Sequence, residues 1–186
     1  MRRDKMAWIG ILSLVSMIAP VSNSANGVTN TNDNNLLSKS ANVAAADPKS
    51  AFLVSKQKKS TILKKYQNAT SLSDKDLYLL LKAVGFEGHN LKEAWAVAKK
   101  ESNGRPLAFN GDHTTGDSSY GVFQINMIGS LGPDRRDKFN LRSNSDLLNP
   151  VVNAKIAYHM SDGGDDWSAW KGITKRTKEW MKKFSF

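Results

Sequence analysis

The sequence contains no cysteine, which excludes a disulfide framework and any zinc site built on thiolates. If the chain is exported, its core alone must hold the fold. Histidine is scarce: His89, His113 and His159 are scattered, with no HExxH and no paired spacing, so no metal site is expected. Asp162, Asp165 and Asp166 flank Gly163 and Gly164, but their spacing does not fit an EF-hand, and a solvated turn is the better reading. Gly111, Gly116 and Gly121 stand too far apart for a phosphate loop. No cofactor is expected. Long apolar runs are missing as well. Residues 7–19 form a run of 13, short of the roughly 20 that cross a bilayer.

What is abundant is positive charge, and it is unevenly placed. The net charge is +10, yet residues 1–70 carry 10 Lys/Arg against 3 Asp/Glu, and residues 171–186 carry 6 against 1. Residues 71–170 hold 11 against 13. The basic character therefore belongs to the two ends. This predicts attachment of basic tails to an anionic envelope surface and argues against a nucleic-acid groove in the globular part. Residues 1–25 have the order of an export signal: Arg2, Arg3 and Lys5, then the apolar run, then Pro20 and small residues. A cleaved signal peptide, a signal anchor and a buried N-terminus of a virion protein all fit. Residues 26–70 read as a disordered polar and basic linker, too poor in long apolar residues up to Pro48 to offset chain entropy. Residues 51–68 mix lysines with Phe52, Leu53, Val54, Ile62 and Leu63. They fit an amphipathic surface helix, though a solvated basic lead-in is the preferred reading.

The globular part is expected over residues 71–170 and is mainly α. Ser73 with Asp76 forms an N-cap signature, Leu77, Leu80, Leu81 and Val84 a helical stripe, and Gly85 its stop. Asn90 with Glu93 repeats the capping signature and predicts the start of an amphipathic helix ending near Glu101. Asn149 and Pro150 open a further helix, with Val151, Val152, Ala154, Ile156, Ala157 and Met160 on its buried side. Trp167 and Trp170, three residues apart, are expected to pack into the core rather than stack on a ligand. Strand character is confined to residues 120–125, and residues 171–186 form a basic C-terminal tail.

Within the Glu101 helix, Ala94, Val97 and Ala98 share the face of the acid. Lys99 projects about 200° away and Lys100 about 100° away, from 3.6 residues per turn. This predicts a partly buried carboxyl with no neutralising cation, which raises its pKa and keeps a proton available for a leaving group.

The wider pattern is specific. Glu101-Ser102-Asn103, then Asn110, Gly111 and Asp117, then the run SYGVFQIN at 119–126 resemble the lysozyme superfamily. The likeness is to the soluble lytic transglycosylase branch and the phage lysozymes that share its domain. The later LLNPVVNAKIAYHM resembles the helix that closes that domain. The resemblance spans residues 71–170 and implies a single lysozyme-like (α+β) domain, with a small irregular or β element beside the cleft. By position it implies Glu101 as the catalytic acid and Ser119, Tyr120, Gln124 and Asn126 as substrate-binding residues. Peptidoglycan glycan strands would be the substrate, and the protein would act as a monomer at the periplasm or envelope, or in a phage virion.

Departures from the pattern bear on mechanism. In the animal C-type lysozymes, which depend on disulfides, an aspartate precedes the Tyr-Gly pair; here that residue is Ser119. A retaining glycosidase needs a second carboxylate about 5 Å from the first, and the nearest acid is Asp117. A one-acid mechanism is the better reading, with Asp117 accepting hydrogen bonds within its loop. The product is either a 1,6-anhydro sugar, from a lytic transglycosylase, or a hydrolysed one, from a muramidase. A non-catalytic glycan-binding module is the rival from another class, and a structural phage or secretion protein carrying the enzyme is a third reading.

Overall fold

The computed structural model describes residues 47–112, 114 and 117–186; the expected signal segment lies outside the described residues. Helix α2 (Asp74–Val84) begins as its sequence predicts. The Ser73 hydroxyl accepts from the Asp76 amide, and the Asp76 carboxylate answers at Ser73, a reciprocal capping box. Leu77, Leu80 and Leu81 are fully buried along one face, and Gly85, at φ 133°, ends the helix.

Helix α3 (Gly88–Ser102) is the central element. It was expected to be amphipathic, but residues 94–99 are buried all round, because α2 covers one side and helix α6 (Lys175–Lys182) another. Alanines at 94, 96 and 98 allow that close approach. Lys99 is tolerated inside because its ammonium lies 2.7 Å from Asp74 and over the Trp180 ring. The start of α3 also differs from expectation. Glu87 is the N-cap and makes no side-chain cap, while Asn90 sits in the first turn and donates to Asp165, 2.7 Å away. A partner 75 residues distant takes the amide that local spacing assigned to a capping box.

Three two-residue strands follow: β1 (Phe109–Asn110), β2 (Ser119–Tyr120) and β3 (Ile125–Asn126), an antiparallel sheet in the order β1-β2-β3. Helix α4 (Leu131–Phe139) leads to α5 (Pro150–Met160), whose Asn149 cap accepts from the amides of Val151 and Val152. Phe86, Phe123 and Trp167 stack beneath the sheet with ring centroids 6.1–6.4 Å apart. Trp167 and Trp170 are both in the core, as expected, Trp167 just before and Trp170 at the end of a 3-10 turn at Ser168–Trp170. The architecture is mostly helical with a small antiparallel sheet.

Both ends of the described chain are more ordered than expected. Residues 48–66 form α1 (Pro48–Tyr66) rather than a disordered linker; it is solvated over residues 48–61, as a basic lead-in would be, and packs on the domain through Ile62, Leu63 and Tyr66. The basic C-terminal segment holds α6, docked on α3 through Trp180 against Trp95 and Phe184 against Trp95 and Tyr78. The reason is the same at each end: a few large apolar residues among the lysines find a partner face. No helix among the described residues is long and apolar enough to cross a membrane.

The junction of α1 and α2 is pH-sensitive. Tyr66 donates to Asp76 at 2.5 Å, with Lys65 at 3.2 Å. Hydrogen bonds from Ser73 first, then Tyr66 and Lys65, hold the Asp76 carboxyl well below the usual carboxylate range. A group depressed in the folded state adds stability that is complete above its unfolded pKa, near about 4, and is lost as pH falls through the folded value. Asp76→Asn is therefore expected to destabilise the protein at pH 7 by about 1 kcal/mol or more. Urea unfolding at pH 7 and below pH about 4 checks this, since the deficit should shrink in acid.

Candidate active site

Glu101 stands in the last turn of α3, which stops at Asn103 in the left-handed conformation, φ 58°. The residue after the acid is structural. Buried Ser102 donates to the carbonyl of Val122 at 2.6 Å and accepts from the Arg105 amide at 3.1 Å. This ties the end of the helix to the β2–β3 turn and sets Glu101 beside the sheet.

The Glu101 side chain is 23% exposed and lies 2.7 Å from the ammonium of Lys100. The expectation of a cation-free carboxyl is thus corrected. The angular argument described where the Lys100 stem leaves the helix, but four methylenes can carry the head group back. The carbonyl of Trp170, accepting from Lys100 at 3.1 Å, holds it there. Lys99 does project to the far side, toward Asp74.

The sheet sorts its residues by face, because successive side chains in a strand alternate. Register pairs Asn110 with Ser119 and Ser119 with Asn126 on one face; Phe109, Tyr120 and Ile125 share the other. Ser119 and Asn126 accordingly line the cleft, together with Gln124. Tyr120 does not: it packs on Phe109, ring centroids 4.8 Å apart, and shapes the sheet rather than the cleft wall. Gln124, at φ 47°, spends its amide nitrogen on the carbonyls of Ala108 and Gly121. Asn126 accepts from the Ile128 amide through its side-chain oxygen. Asp117 lines the same cleft and is held by two donors, Asn110 at 2.7 Å and Ser119 at 2.6 Å.

These groups border an open cleft of about 460 Å³. Trp170, Lys171, Thr174 and Arg176 line it as well. A slightly larger groove of about 500 Å³ lies between α1, α2 and α5, but its charged residues are all lysines. With no acid to donate a proton, it is the weaker candidate despite its size.

Three supporting features escaped sequence reading. Asn153, fully buried in α5, accepts from the Phe123 amide and donates to the carbonyls of Tyr120 and Leu147, at 2.8–3.0 Å. Gly121, at φ 74°, lies against Asn153 and the Leu147 carbonyl, so close that a Cβ would overlap both. Only the amide's place within an apolar stripe, VVNAKIA, hinted at the first. The third is the wall from the C-terminal segment, which carries no local signal.

The profile of the family described as lysozyme like domain matches residues 78–172, more than half of the chain. The chain belongs to this lysozyme-like family. Among its relatives, the milk isozyme of lysozyme C from the dog, Canis lupus familiaris, is 33% identical over 82 residues, 44% of this chain and 56% of that protein. The horse milk isozyme, Equus caballus, is 32% identical over 99 residues, and lysozyme C of the donkey, Equus asinus, 31% over 99. Each of those two matches covers 51% of this chain and 77% of the relative. No solved structure matches the chain significantly. The matched region includes Glu101 and the whole sheet, and it ends short of Thr174 and Arg176.

Proposed function

We propose that this lysozyme-like domain cleaves the β-1,4 bond between N-acetylmuramic acid and N-acetylglucosamine in peptidoglycan, with Glu101 as the single acid and base and a 1,6-anhydro product. The observation that carries the single-acid reading is Ser119. It occupies the cleft face where a nucleophilic carboxylate is wanted, and it helps to tether the nearest acid, Asp117, into its loop.

In the proposed cycle Glu101 protonates the bridging oxygen as the bond from the muramic C1 breaks. The substrate's acetamido oxygen stabilises the cationic sugar. The Glu101 carboxylate, with Lys100 2.7 Å away to balance its charge, then takes the proton of the 6-hydroxyl, whose oxygen closes on C1. Water in place of that hydroxyl gives a muramidase. Ser119, Gln124 and Asn126 would bind the sugars. In this reading the chain works at the cell envelope, exported by residues 1–25 or carried in a virion, and its basic ends hold it near anionic polymers.

Mass spectrometry of muropeptides released from purified sacculi tests the product. The expected reducing end is lighter by one water; a full-mass reducing end would establish hydrolysis instead. Asp117 shares the cleft, so a two-carboxylate mechanism is the second reading. Asp117→Asn should cost under about tenfold, or 1.4 kcal/mol in the barrier. A loss approaching that of a Glu101 variant would make Asp117 the nucleophile.

A further inference from the structure

The cleft carries cations that no acid neutralises. Lys100 pairs with Glu101, but Lys171 and Arg176, on the wall formed by the C-terminal segment, are both exposed and neither is in an ion pair among the described residues. That wall is built with care. Trp170 is buried and donates to the Phe123 carbonyl at 2.7 Å, and its own carbonyl receives Lys100. Lys171 follows in the left-handed conformation, φ 63°, which a lysine rarely adopts. Thr174 caps α6, accepting from the Thr177 amide, and so sets Arg176 in the first helical turn.

Two of these placements work against local stability. A non-glycine residue at positive φ is strained, and such strain gathers at functional sites. Cations at the first turn of a helix face the positive end of its dipole, yet Lys175 and Arg176 both stand there with no acid in that turn. The first is the left-handed cap that ends the Ser168–Trp170 turn; an anionic occupant would offset the second. The two sugars of a peptidoglycan strand are neutral rings; its carboxylates sit on the lactyl-linked peptide stem.

Resting on the function proposed above, we propose that Lys171 and Arg176 form a subsite for the carboxylates of the peptide stem borne by the muramic acid residue. The substrate class is then stem-bearing glycan rather than naked strands. Lys171 lies inside the region matched by the family and Arg176 beyond it.

The test uses the full chain and a Lys171→Gln/Arg176→Gln variant, on native sacculi and on sacculi whose carboxyls have been converted to primary amides. At low salt the variant is expected to lose about tenfold or more in kcat/KM on native sacculi, mainly through KM. Its loss on amidated sacculi should be several-fold smaller, and thermal melting should be shared with wild type. Equal losses on both substrates, or none on native sacculi, would overturn the subsite. If wild type releases nothing from either substrate, the enzymatic reading fails separately. Retention on the two sacculi then decides the subsite: stronger retention on native material, dependent on Lys171 and Arg176, supports it, and equal retention refutes it.

Discussion

Glu101→Gln is expected to cut the release of soluble muropeptides from sacculi by roughly 10²–10⁴-fold, the range a positioned general acid supplies. Glutamine keeps the shape of the side chain but cannot donate the proton that the leaving sugar needs, nor take one back. The substitution should leave the fold intact. Glu101 is partly exposed, its neighbour Ser102 makes the structural bonds, and Lys100 retains the Trp170 carbonyl. The pair is mostly buried, so its loss is expected to cost about 1–3 kcal/mol, limited because the glutamine oxygen can still accept from Lys100. Release assays paired with thermal melts check this. Equal release by both proteins, or none by wild type, would leave a glycan-binding module as the surviving reading.

Asn153→Leu should have the largest effect on stability. The substitution conserves shape, yet it strips partners from the Phe123 amide and from the carbonyls of Tyr120 and Leu147, beneath the β2–β3 turn. A buried group left unsatisfied costs about 1–3 kcal/mol, so three imply on the order of 3–9 kcal/mol. That approaches the whole stability of a marginal domain, about 5–15 kcal/mol. The expected outcome is a large fall in the urea midpoint, with activity lost together with the fold. A change under about 1 kcal/mol would mean that the turn is held by its own hydrogen bonds and not by α5.

Local chemistry made much of this molecule legible. The Ser73–Asp76 box, the leucine stripe and Gly85 outline α2 completely, because caps and stripes act over three or four residues. Asn149-Pro150 opens α5 for the same reason. The run at 119–126 carried the cleft amides, but the strand expected over 120–125 is two short strands with a turn at 121–124 between them, and β1 at Phe109–Asn110 gave no signal; Tyr120 also shows that a motif does not say which face each member takes.

Other features depend on partners far away in sequence. Asn90 serves Asp165 instead of a capping box. Lys100 turns back to Glu101 because the Trp170 carbonyl, 70 residues on, anchors it. Asn153 spans to Phe123, 30 residues away. The C-terminal segment reads as a basic tail until Trp180 and Phe184 find Trp95. The sequence by itself determined the helical class, the candidate acid and the absence of an aspartate at 119, since each is a matter of residue identity or short spacing. Only the tertiary structure decided what surrounds that acid: a paired lysine, a tethered Asp117 and two cations of the C-terminal segment in the same cleft. Long side chains and distant segments meet through packing, and no local period records where they will meet.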